Sequence, residues 1–145
     1  GPSEVRSGLL HHITPAAADA LEKMLKSAKV LVIQFRSVGG AVNDVPADAT
    51  AYAHRTQNFS VVSATLPTWA QRHDELWSEL YPHLDGMYLS FETSTDPERL
   101  LDAFPQPTLC RLRDLKGKYD PDGVFDKNFD LLQADALPLP ESRKV

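Results

Sequence analysis

Residues Phe59–Leu80 read FSVVSATLPTWAQRHDELWSEL, and the hydrophobic period changes partway through this stretch. Phe59 to Leu66 is rich in β-branched residues and reads as a strand, with Phe59, Val61, Ser63 and Thr65 on one face. Thr68 and Gln71 then have the spacing of a capping box. Trp69, His73, Leu76, Trp77 and Leu80 form one stripe of a helix that ends near Tyr81-Pro82. The two tryptophans read as core. A strand running into an amphipathic helix sets the layer plan, and the rest of the chain extends it in both directions.

Upstream, Thr50 to Arg55 alternates and reads as a strand. Lys29 to Ser37 is rich in Val and Ile and reads as a buried strand broken by Gly39-Gly40. A weaker extended piece is expected over 41–45. Thr14-Pro15 reads as N-cap and first position of a helix over 15–27, with Leu21, Met24, Leu25 and Ala28 at helical spacing. Residues 1–14 read as a lead-in, and Gly1-Pro2 as the scar of a cleaved tag. Downstream, Asp85-Gly86 is a turn and Met87 to Glu92 a strand. Thr95 to Glu98 opens a short helix. Pro107-Thr108 opens another, with Leu109, Leu112 and Leu115 inward and Arg111, Arg113 and Lys116 outward. Residues 133–145 read as a flexible tail. Clustered strands with short connections predict α+β, an antiparallel sheet flanked by helices.

Composition narrows the function classes. The chain has 145 residues, 42% hydrophobic and 24% charged, as expected for one globular domain. A formal charge of -5 gives no basic excess for phosphates, so nucleic acid is not an expected partner. No apolar run reaches about 18 residues and no secretory signal opens the sequence, so no membrane span is expected and the cytoplasm is the default location. The single cysteine, Cys110, reads as buried in a helix and says nothing of redox compartment. His11-His12 reads as a surface pair, and no Cys/His spacing predicts a metal site. Gly39-Gly40 is far short of a dinucleotide fingerprint.

Three segments carry a resemblance. Gly39-Gly40-Ala41-Val42 with Asp48 to Arg55, ending Tyr52-Ala53-His54-Arg55, is the first. Gly86-Met87-Tyr88-Leu89-Ser90-Phe91 is the second. The third and most specific is Leu112-Arg113-Asp114-Leu115-Lys116-Gly117-Lys118-Tyr119-Asp120-Pro121-Asp122-Gly123-Val124-Phe125. Together they resemble the C-terminal, substrate-side portion of FAD-linked oxidases of the berberine-bridge-enzyme type, over roughly residues 29–131. In the third segment the helix is expected to stop at Gly117. Asp120 to Gly123 then makes a β-turn, and Val124-Phe125 an apolar plug that in the family returns towards the flavin domain.

The resemblance implies a substrate-domain sheet that roofs a flavin, over residues 15–132, with the family's C-terminal segment at 86–131. It implies oxidation of a small organic substrate with hydride transfer to FAD. The FAD would be held mainly by a portion absent from this chain, supplied in cis or by a separate chain, so the isolated chain is expected to be inactive. Arg36, Tyr52, Val61 and Phe91 are the implied substrate-binding positions. Tyr88, Ser90 and Asn128 are the implied cofactor-side positions. His54 and Arg55 match a pair that organises the cavity wall. The catalytic pattern departs from the family: Val61 stands where some members have a glutamate, Ser90 replaces an asparagine, Phe91 replaces a tyrosine proposed as base, and Asp130 replaces a second asparagine. Neither valine nor phenylalanine transfers a proton, so the base is unassigned, and Arg36, Tyr52 and Tyr88 are the remaining candidates. Arg36 is suited to an anionic substrate group. A second reading is a cofactor-free binding or assembly module derived from the lobe. An exposed sheet edge then predicts a homodimer or a partner strand.

Overall fold

The computed structural model describes residues 3–127 and 129–131. Three antiparallel strands form the sheet: β1 (Glu4–Leu10), β2 (Val32–Ser37) and β3 (Phe59–Thr65), in the order β1-β3-β2. Helices α1 (Pro15–Lys26) and α2 (Ala70–Leu80) cover one face. The short α3 (Glu98–Ala103) and the longer α4 (Gln106–Tyr119) follow. The α+β architecture expected from the pattern is the one observed.

Strand alternation decides the two faces. Val61, Ser63 and Thr65 point under the helices and are fully buried. Leu10, Met24, Leu76, Trp77 and Leu80 complete that core with Val61. A smaller cluster joins Leu100 and Leu109 to Leu101, Phe104, Phe129 and Leu131. Helix α1 starts as its sequence dictates, with Thr14 Oγ1 accepting from Ala17 N at 3.2 Å and Pro15 in the first turn.

Several expectations are corrected. Residues 4–10 are not a loose lead-in but β1, paired along its whole length with β3. Its outer edge is closed as well. Leu9 N donates to Gly86 O (2.9 Å), Ser7 N to a Glu92 carboxylate oxygen (3.3 Å), and Thr93 N to Val5 O (3.1 Å). Met87 to Glu92 therefore lies along β1 without forming a strand: a 3-10 turn at Leu89–Phe91 lifts it away, and the Glu92 side chain takes a place in the ladder. Residues 50–55 are irregular rather than a strand, and Gly40–Val42 is a 3-10 turn rather than extended. Strand β2 is exposed along most of its length, with Val32 51% and Phe35 41% accessible, because its outer edge has no partner strand among the described residues.

Helix ends differ too. A 3-10 turn at Pro67–Trp69 displaces the start of α2 to Ala70, and no side chain caps it, so the capping box does not form. Helix α4 passes through Gly117 and ends at Tyr119. The stop is set by Asp120, whose carboxylate accepts from Val124 N (2.7 Å) and Phe125 N (3.1 Å) and from Lys116, with Gly123 at φ 65. Lys116 and then these backbone N–H groups hold the Asp120 carboxyl below the usual carboxylate range. Leu115 faces outward and Cys110 is exposed. Residues 133–145 lie outside the described residues.

Candidate substrate cleft

The sheet face opposite the helices carries a cleft of about 530 Å³. Register builds its floor. Ser60 of β3 pairs with Leu9 of β1 on one side and Arg36 of β2 on the other, so the three side chains form a row across the sheet. The exit of β2 adds Ser37, Val38 and Val42. The irregular stretch 50–55 adds Tyr52 and Arg55, and the turn after Gly86 adds Tyr88 and Phe91.

These side chains form a connected series. Tyr52 meets Tyr88 edge-on with ring centroids 6.0 Å apart, and Tyr88 meets Phe91 at 5.5 Å. A guanidinium closes each end, Arg55 lying 5.0 Å from the Tyr52 ring and Arg36 lying 4.6 Å from the Phe91 ring. Arg55 is fixed by donating from Nη1 to Val42 O (3.0 Å) and from Nη2 to Thr50 Oγ1 (2.8 Å). Arg36 Nε donates to Gln34 Oε1 at 3.1 Å.

His54 is a positioning residue. It is buried, its Nε2 lies 3.0 Å from Ala103 O, and its ring meets that of Tyr52 edge-on at 5.8 Å. Gly86 at φ 101 passes so close that an added Cβ would lie 2.3 Å from the His54 ring. The pair thus locks the Tyr52 stretch against the Tyr88 stretch and α3.

The cleft brings together Arg36, Tyr52, Tyr88 and Phe91 of the implied site residues. It does not include Val61, which alternation places in the core on the opposite face at 0% exposure. Ser90 is exposed on the 3-10 turn and lines no part of the cleft. Asn128 lies outside the described residues. Leu9 and Ser60 are cleft residues that sequence reasoning missed, because the pairing of β1 with β3 is a long-range feature. No Asp, Glu or His lines the cleft among the described residues. Burial raises the Tyr52 phenol above its ordinary value, Arg55 partly opposing and Tyr88 adding to the rise, so Tyr52 is a hydrogen-bond donor at neutral pH rather than a base.

Tyr52, Tyr88 and Phe91 line the cleft with aromatic surface. The glycine pair at Gly39-Gly40 opens only a three-residue turn, not the helix N-terminus that a phosphate cradle uses.

The three-stranded antiparallel sheet with its helices superposes on solved structures of berberine bridge enzyme-like FAD oxidases. Berberine bridge enzyme-like proteins match this chain in both sequence and fold. It is 28% identical to "Berberine bridge enzyme-like 4" of Arabidopsis thaliana over 141 residues, covering 77% of this chain and 26% of that protein. It is 33% identical over 95 residues to "FAD-linked oxidoreductase iacH" of Pestalotiopsis fici, covering 56% of this chain and 19% of that protein. Among solved structures, BBE-like 1 of Physcomitrella patens superposes with a TM-score of 0.73 at 21% identity, covering 88% of this chain and 29% of its own. Aclacinomycin oxidoreductase gives 0.71 at 22% identity, covering 90% and 32%. No family model matches the chain. The chain thus spans about a quarter of the length of the curated relatives it matches over the longest stretch.

Proposed function

We propose that this chain is the substrate-binding lobe of an FAD-dependent oxidoreductase acting on a small organic molecule. The observation that carries the reading is the convergence of Arg36, Tyr52, Tyr88 and Phe91 on one cleft over the open face of the sheet. In this reading Tyr88 and its neighbours face the flavin ring, while Arg36, Tyr52 and Phe91 orient the substrate. FAD, when bound, supplies the electron sink that accepts the hydride. The flavin is gripped mainly by a portion outside this chain, in cis or on a second chain. Exposed Val124 and Phe125, at 73% and 83% accessible, offer that portion an apolar contact.

The outer edge of β2, which has no partner strand among the described residues, supports a second reading, a cofactor-free binding or assembly module that uses the edge to recruit a strand. Sequencing the natural gene around this segment separates the two. A flavin-binding portion encoded upstream in the same frame, or on a neighbouring chain, supports the lobe reading. A stop codon followed by a start directly before this segment, with no flavin-binding chain encoded alongside, supports the module instead.

A further inference from the structure

The cleft holds two guanidinium groups and, among its described lining residues, no carboxylate. Neither Arg36 nor Arg55 forms an ion pair with a described carboxylate, whereas Arg6, Arg72 and Arg99 do. The formal charge of the chain is -5, so this local positive charge runs against the whole. The two arginines differ in what they have left to give. Arg55 already donates from both terminal nitrogens to protein acceptors, and only its buried Nε has no partner among the described residues. Arg36 uses Nε alone, on Gln34, and is exposed at the cleft. Beside it in the register stands Ser60, 3% exposed, with a hydroxyl that has no hydrogen-bond partner among the described residues. A buried hydroxyl left unpaired costs about 1–3 kcal/mol, which an acceptor entering the cleft would recover.

We propose that the cleft selects a planar aromatic molecule carrying a negative charge, a carboxylate or a phenolate. The anion sits on the terminal nitrogens of Arg36 and the hydroxyl of Ser60. The ring lies against Tyr52, Tyr88 and Phe91, and Arg55 adds charge without a direct hydrogen bond. A planar ring suits the aromatic surface that Tyr52, Tyr88 and Phe91 give the wall. The inference rests on the cleft being the substrate site and deepens that reading by naming the substrate class.

The test is a titration of the isotope-labelled chain followed by NMR, with 2-naphthoate, its uncharged analogue 2-naphthylmethanol, and riboflavin as probes. Naphthoate is expected to shift the Arg36, Tyr52 and Ser60 signals and to bind about tenfold tighter than the alcohol, as one charge-assisted hydrogen-bond pair gives. Arg36→Gln is expected to abolish the preference, and Ser60→Ala to reduce it about threefold. The dispersion of each variant's spectrum shows that it is folded. Equal binding of naphthoate and the alcohol, or riboflavin preferred over both, overturns the anion assignment while leaving the oxidoreductase reading standing. Failure of all three probes to perturb the cleft signals overturns both.

Discussion

The ring of His54 fills the space that a side chain at Gly86 would need, and this one contact joins two segments of the cleft wall. Gly86→Ala is expected to lower stability by about 1–3 kcal/mol from backbone strain at positive φ, with the clash adding to it. A shift of the urea midpoint without a change of slope checks this. His73 makes a second prediction. It is buried under α2, 2.6 Å from Ser63 Oγ, and burial, with the charge of Arg6, holds its pKa below the ordinary histidine value. The folded state therefore binds fewer protons than the unfolded state once the pH drops below about 6.5. Stability is fully present above that pH and is lost as it falls, at up to about 1.4 kcal/mol per pH unit. Thermal melts between pH 7.5 and 5 check the slope, and His73→Gln is expected to flatten it. The burial of His73 was legible from its place in the helical stripe. Its partner was legible too, since Ser63 shares a strand face with Val61. What alternation also implied, and the family resemblance masked, is that Val61 belongs to that same buried face and not to the cleft.

At the scale of elements, the helices were the most readable because their signals are local. Thr14-Pro15 fixes the start of α1 by chemistry within one turn. Its end is less favourable: Ala28 adopts φ 54, a left-handed conformation that costs a residue with a Cβ. Ala28→Gly is expected to raise stability by about 0.5–1 kcal/mol, read as an increased melting temperature. The strands were less readable. β1 contains Glu4, Arg6 and Ser7, which suit no half-buried alternation until Glu92, Asp74 and Thr93 arrive from distant parts of the chain to bond them. Residues 87–92 carry a strand-like pattern, yet the turn at Leu89–Phe91 turns Phe91 towards the cleft. In both places tertiary contacts override the local pattern, and both lie beside the candidate site.

At the scale of the whole molecule, the described surface exposes apolar side chains in two places. The outer edge of β2 has no partner strand among the described residues and carries Val32 and Phe35, with Leu31 just before it. Light scattering on the isolated chain is expected to give about twice its 16.1 kDa, as copies pair through this edge. Val32→Lys is expected to return a monomer, and a wild-type monomer would count against edge pairing. Beyond α4, Asp120 gathers the Lys116 ammonium and two backbone N–H groups, and the neighbouring Val124 and Phe125 are exposed.

The most direct measurement is the visible absorption spectrum of the purified chain, taken before and after incubation with excess FAD and removal of the unbound cofactor. The cleft is lined by Tyr52, Tyr88 and Phe91, and Gly39-Gly40 opens only a three-residue turn. The account predicts a colourless protein in both spectra, with the cofactor washed away. A retained band near roughly 450 nm, the usual flavin absorbance, would contradict it and place the whole cofactor grip within this chain.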